Sequence, residues 1–222
     1  MLAGLHERHP HLTAGPVTDS PSPEEPGHPE YHRRRRAEWA LSRWKTATPL
    51  RYSRADTAHP AVQQWADQVA TAPETAGSLL LTGTTGTGKT HETYGALRSI
   101  AAAGPHTYEI RATTVDMYGL LRPHGSARGT EGELGRLAHV PLLLLDDLGS
   151  AKATEWTDEI TYRLVNEHYK ACRPTIYTSN LPARAADGRD LTAVFGERIV
   201  SRLSEDTRVI AMTGTDRRRA AA

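Results

Sequence analysis

The stretch Gly83-Thr84-Thr85-Gly86-Thr87-Gly88-Lys89-Thr90, GTTGTGKT, decides the fold. It matches G-x-x-x-x-G-K-[ST], the pattern of a loop that cradles phosphates. A triphosphate needs several N–H donors converging on one point. Glycine lets the backbone turn and approach without a Cβ in the way. A following helix adds its unpaired N–H groups and the positive end of its dipole. Lys89 is expected to put a point charge on the β- and γ-phosphates, and Thr90 to offer its hydroxyl to Mg²⁺. The apolar run Ser78–Leu81 precedes the loop and a helical pattern from Lys89 to about Ala103 follows it, which is the context the motif requires. A nucleoside triphosphate, ATP or GTP, with Mg²⁺ is therefore the expected ligand.

The metal and water side of such a site calls for a buried strand that ends in an acid. Val140–Leu145 is a continuous apolar run followed by Asp146-Asp147, as a strand covered on both faces should be. Asp146 is expected to hold Mg²⁺, and Asp147 to orient or deprotonate the attacking water. The next apolar run, Thr175–Thr178, leads to Ser179-Asn180. Asn180 is expected to position a water with its amide.

Working outward, Thr107–Arg111 and Arg208–Met212 read as two further strands. Helical patterns run over Tyr31–Thr46, Pro60–Val69, Thr114–Leu121, Glu133–Ala138, Thr154–Lys170 and Leu191–Leu203. Five strands alternating with helices predict a parallel sheet sandwiched between helices. Residues 1–30 are rich in Pro, His, Glu and Gly and read as a disordered tail. Residues 31–59 read as a short helix and linker, 60–218 as the main domain and 219–222 as a tail. His6, His9 and His11 lie in a Pro-broken segment without partner cysteines, so no metal site is expected there. In the first helix Ala37, Leu41 and Trp44 share one face, and Trp39 lies off it.

The chain has 222 residues and 38% hydrophobic residues, with a mean hydropathy of −0.54. No stretch approaches the ~20 apolar residues of a membrane helix, and a cytoplasmic protein is expected. Formal net charge is only +1, but arginines cluster in Arg33–Arg36 and Arg217–Arg219, runs that suit nucleic acid, an acidic protein surface or plain solvation. The single cysteine, Cys172, reads as a small buried filler.

The order GTTGTGKT, LLLLDDLG, YTSN, GERIVSRL resembles the AAA+ ATPases of the DnaC/IstB type, which are helicase loaders and transposition helper ATPases. The resemblance runs from about Leu50 to Arg218. It implies a three-layer P-loop fold with a five-stranded parallel sheet and no separate C-terminal lid. It implies Asp146 and Asp147 as the Walker B pair, Asn180 as sensor 1 and Arg198 as an arginine finger reaching a neighbouring subunit's γ-phosphate, with Arg202 the runner-up. Pro49-Leu50-Arg51-Tyr52 resembles the segment that lies close to the adenine. Many AAA+ proteins carry Glu where this chain has Asp147, and the missing methylene implies slow turnover.

Three functions follow as expectations. The first is an ATP-hydrolysing helicase loader that assembles as an ATP-dependent homo-oligomer and touches DNA, preferably single-stranded, with Arg122 and Arg128 as candidate phosphate contacts. The second is a helper that recruits a transposase to DNA. The third, a small-molecule kinase, would need a lid and an acceptor pocket that the sequence does not suggest.

Overall fold

The structure, a computed structural model, describes residues 20–105, 110–111, 114–186 and 188–216. The three N-terminal histidines, most of the expected tail and Arg217–Arg219 lie outside the described residues. Five parallel strands form one sheet in the order β2-β3-β4-β1-β5. They are β1 (Ser78–Thr82), β2 (Ile110–Arg111), β3 (Leu142–Leu145), β4 (Thr175–Ser179) and β5 (Thr207–Ala211). Of the expected second strand, residues 107–109 lie outside the described residues. The third strand starts two residues later than expected: Val140 N–H turns back to Leu137 O, and Pro141 has no N–H to give a ladder.

Eight α-helices are described: α1 (Pro29–Ala47), α2 (Pro60–Thr71), α3 (Pro73–Ala76), α4 (Lys89–Ala103), α5 (Thr114–Leu121), α6 (Gly129–Ala138), α7 (Glu155–Lys170) and α8 (Leu191–Glu205). The strands' two-residue period sorts their side chains into two cores. Leu79, Leu81, Leu142, Leu144 and Ile176 face α1, α2 and α4. Leu80, Leu143, Leu145 and Tyr177 face α5, α6, α7 and α8. That makes three layers. Every residue of β3 and β4 is buried, which is why these runs carry no polar alternation.

The segment 31–59 does more than link. Ala40, Trp44 and Ala55 belong to the same core as the sheet, and Trp44 Nε1 donates to Tyr94 O of α4 at 3.1 Å. Two arginines of the run act at the C-terminal end of α4: Arg36 Nε donates to Gly104 O at 3.0 Å and Arg33 Nη1 to Ala103 O at 3.5 Å. Cations there complement the negative end of the helix dipole. Arg33 is also paired with Glu30.

Residues 56–59 then cross α4. Gly95 makes the crossing possible, because a Cβ there would overlap Asp56 C and Thr57 N. One turn earlier, the buried carboxylate of Glu92 accepts from Thr57 Oγ1 at 2.7 Å, Ala58 N at 3.1 Å and His59 N at 3.2 Å. His59 is the N-cap of α2, so Glu92 satisfies donors at a helix start from another element.

Two local expectations are corrected. Cys172 is exposed. It sits at φ 49° just past α7, where its N–H bonds Tyr169 O and Arg173 N–H bonds His168 O. This is a Schellman ending, whose left-handed residue points to solvent instead of into a strand. The helix expected over Leu191–Leu203 is broken at Gly196 (φ 75°, ψ 163°), so Arg198 starts a new segment.

Gly95→Ala should lower the unfolding free energy by about 1–3 kcal/mol through overpacking, although alanine favours an exposed helix interior by about 1 kcal/mol. Urea denaturation reads the difference. A second test uses His168, which is buried, with Nε2 against Leu137 O and Nδ1 against Thr175 Oγ1. Burial lowers its pKa to about 4. The stability linked to the neutral ring is full above pH 6.5 and is lost as pH falls from there to about 4. His168→Gln should be less stable at pH 8 and should show a shallower decline across that window.

Candidate nucleotide-binding site

The loop Gly83–Thr90 joins β1 to α4 at the C-terminal end of the sheet. Gly83, Gly86 and Gly88 hold φ of 140°, 88° and 100°, values that L side chains resist. α4 starts at Lys89, so the unpaired N–H groups of its first turn lie at the end of this loop. Because β4 lies between β1 and β3, Thr82 pairs with Ser179 and Leu145 with Tyr177. The loop, the acid pair and Asn180 therefore meet at one edge.

Lys89 Nζ donates to Gly83 O at 2.6 Å, Thr84 O at 2.9 Å and Asn180 Oδ1 at 3.0 Å. Asn180 Nδ2 in turn donates to Asp147 Oδ1 at 2.8 Å. The amide thus bridges the loop lysine to the second acid. Thr85 Oγ1 also reaches Asn180 Oδ1, at 3.4 Å. On the other side of the site Thr90 Oγ1 donates to Asp146 Oδ1 at 3.2 Å. This adjacency of a hydroxyl and a carboxylate, both hard oxygen donors, suits Mg²⁺.

Thr178 holds the acid turn from below, a role that sequence reading did not assign. Its hydroxyl donates to Asp146 Oδ1 at 2.6 Å and accepts from Asp147 N at 2.7 Å. Its carbonyl accepts from Leu148 N at 2.7 Å, and Ser179 Oγ donates to Leu148 O at 2.7 Å. Asp147 sits at φ 60°, a left-handed conformation that Asp tolerates better than most residues. The bonds from β4 fix it there. The only sequence signal was the run of hydroxyl residues, Thr178 and Ser179, at the end of the strand.

Asp146 has its pKa raised, foremost by burial; bonds from Thr178 and Thr90 pull it back, the charge of Asp147 pushes it up and Lys89 lowers it. Tyr94 is pushed up to about 12 by burial, with the charge of Asp146 adding to it. Its ring stacks on Tyr52 with centroids 4.9 Å apart and planes 10° from parallel. Arg51 and Tyr52 line the same cleft of about 670 Å³ as the loop, Asp146, Asp147 and Asn180, a volume that takes a small-molecule ligand.

Residues 34–221 match the family described as IstB-like ATP binding protein. The chain belongs to that family of AAA+ ATP-binding proteins. Among solved structures, the DnaC helicase loader is similar at 25% identity and a TM-score of 0.62, over 74% of this chain and 100% of that one. DnaI is similar at 20% identity and a TM-score of 0.61, over 75% and 95%. The replication initiator DnaA, bound to AMPPCP and single-stranded DNA, follows at 20% and 0.55, over 68% of this chain and 45% of its own. The last two show the shared fold. No curated protein matches. No helix among the described residues of this IstB-like chain is long and apolar enough to cross a membrane.

Arg198 does not join this cleft. It is exposed, and its guanidinium carbon lies 4.0 Å from the centroid of Tyr162 on α7. Arg202 is held more firmly, with Nε on Asn166 Oδ1 at 2.9 Å and Nη1 on Arg198 O at 3.1 Å. Of the loop arginines, Arg128 pairs with the buried Glu133 at 3.4 Å, and Arg122 is exposed.

The raised pKa of Asp146 has a sign that can be tested. The folded chain binds this proton more tightly than the unfolded chain, so ionised Asp146 costs stability once pH passes its ordinary value of 3.8. Asp146→Asn should therefore raise Tm at neutral pH. The gain should vanish as pH falls toward 3.8. Calorimetry over a pH series checks both.

Proposed function

We propose that this chain binds ATP with Mg²⁺ in the cleft, hydrolyses it slowly when copies assemble, and acts as a loader of a replicative helicase. The observation that carries the ATPase reading is the Lys89–Asn180–Asp147 bridge beside the Thr90–Asp146 contact. It joins the group that would meet the β- and γ-phosphates to the groups that would handle water. Lys89 would exchange its carbonyl and amide partners for phosphate oxygens. That exchange frees Asn180 to orient the attacking water and leaves Asp147 to accept its proton. Thr90 and Asp146 would hold Mg²⁺, which when bound neutralises charge on the phosphate oxygens.

Arg198 would complete the site of a neighbouring copy. Its exposure and its seat on the Tyr162 ring support a role outside its own cleft: the guanidinium is solvent-accessible, always charged and pre-oriented by a flat shelf. A finger supplied in trans can raise turnover by roughly 10³–10⁵. Hydrolysis then reports assembly.

The loader reading is supported by the likeness to the DnaC helicase loader along that chain's whole length. The match to the IstB-like family favours a second reading, a helper that brings a transposase to DNA. Both use the same switch and differ in client.

Lys89→Ala should reduce binding of a fluorescent ATP analogue at least roughly 100-fold, the scale of losing a charged clamp. Arg198→Ala should bind it as the parent does but turn over at least roughly 10³-fold more slowly under assembling conditions. Parent-like turnover by Arg198→Ala would contradict the shared site. Capture of a replicative helicase, rather than a transposase, by the ATP-bound chain separates the two clients.

A further inference from the structure

α1 carries a ridge that neither the core nor the nucleotide cleft uses. Arg35, Trp39 and Arg43 recur every four residues and stand one above another along about 12 Å of helix. Ala40 and Trp44 face the other way, into the core. Trp39 is 55% exposed, whereas Trp44 and Trp65 are 5% and 0% exposed. Leaving one indole in water while burying others has no packing reason.

The surroundings of Trp39 are cationic. The guanidinium of Arg43 lies 5.0 Å from the indole centroid. Arg35 pairs with Glu38 at 3.1 Å, but their side chains are 67% and 66% exposed. A pair that open contributes little and is readily exchanged for a phosphate. The whole helix holds six cations against two carboxylates. Beside Trp39 the outward residues are Arg35, Glu38, Ser42, Arg43 and Thr46, all exposed. With no exposed aliphatic side chain among them, the ridge offers no greasy pocket for a partner helix. An aromatic plane flanked by guanidinium groups is instead a stacking platform with phosphate contacts on either side.

We propose that the Arg35–Trp39–Arg43 ridge binds single-stranded nucleic acid, with Trp39 stacking on a base and the two arginines engaging backbone phosphates. This deepens the DNA-linked reading above and rests on it. It moves the expected contact from the loop arginines to α1, a helix bonded to the phosphate-loop helix through Trp44 and Tyr94.

The test uses the full chain and a labelled oligothymidylate of roughly 20 nucleotides, longer than one such platform needs, with a duplex of equal length as comparison. Trp39→Ala should weaken single-strand binding about 5- to 100-fold, and Trp39→Phe should restore much of it. Arg35→Gln with Arg43→Gln should lower the slope of log affinity against log salt by about 1.4, two phosphate contacts' worth. All variants should keep the parent's Tm and its affinity for a fluorescent ATP analogue, which excludes misfolding as the cause. Parent-like DNA binding by Trp39→Ala and by the double variant overturns the ridge and leaves the DNA-linked reading standing. A parent chain that binds ATP but neither oligonucleotide overturns both. Tighter binding of the duplex, or binding of polyglutamate in preference to either probe, overturns the stacking assignment in favour of a charge-only surface.

Discussion

The parallel insertion of β4 between β1 and β3 is the constraint on which the rest of the structure depends. The phosphate loop leaves β1, the acid pair leaves β3 and Asn180 leaves β4, and only this strand order brings all three to one edge. In parallel sheets the ends that carry ligands lie together by topology, not by the sequence distance between them. Lys89 and Asn180 are separated by 91 positions and still share a hydrogen bond. The middle strand has to be polar at its last residues to serve this edge, yet buried on both faces. Thr178 and Ser179 meet both demands because each hydroxyl is fully used: that of Thr178 by the acid turn, and that of Ser179 by donating to Leu148 O in the turn and accepting from Leu181 N.

The same arrangement sets a cost. Asp146 is buried beside a second carboxylate and has its pKa raised, so the fold carries an acid that would be better solvated elsewhere. The hydroxyls of Thr90 and Thr178 offset part of that burial. An acid held this way has unmet demand for positive charge, which a cation at the Thr90–Asp146 pair would meet. Stability and ligand affinity therefore pull in opposite directions at this residue, as they do at strained functional positions generally.

The phosphate loop, the buried acid strand and the layered α/β architecture were legible because each follows from local pattern: fixed glycine spacing, an unbroken apolar run, and alternation of strand and helix. What stayed hidden depends on contacts between distant segments. Nothing near Glu92 announces that its carboxylate receives the backbone of residues 57–59, and nothing near Gly95 announces the crossing chain. The arginine run looked uniform in sequence, yet Arg33 and Arg36 bond the end of α4 while Arg35 faces water. Cys172 was misread because its neighbours are those of a strand, whereas its backbone belongs to the ending of α7. The break in α8 was signalled by Gly196, but glycine inside a helical pattern has more than one reading.

The break at Gly196 bears on how a site built from two copies could be regulated. A continuous helix would tie Arg198 rigidly to Leu191, whose side chain is buried against the far core. With non-helical backbone at Gly196, the segment carrying Arg198 and Arg202 is oriented by its own buried Ile199, Val200 and Leu203 and by α7, through Tyr162, Tyr169 and Asn166. α7 also packs on the sheet through Ile160, Leu164 and Val165. The proposed finger is thus registered to the same sheet that positions Asp146, Asp147 and Asn180. A shift of the sheet edge at one copy's nucleotide would carry through α7 to the arginine offered to the next copy, which is the mechanical condition for a chain of stacked subunits to respond together.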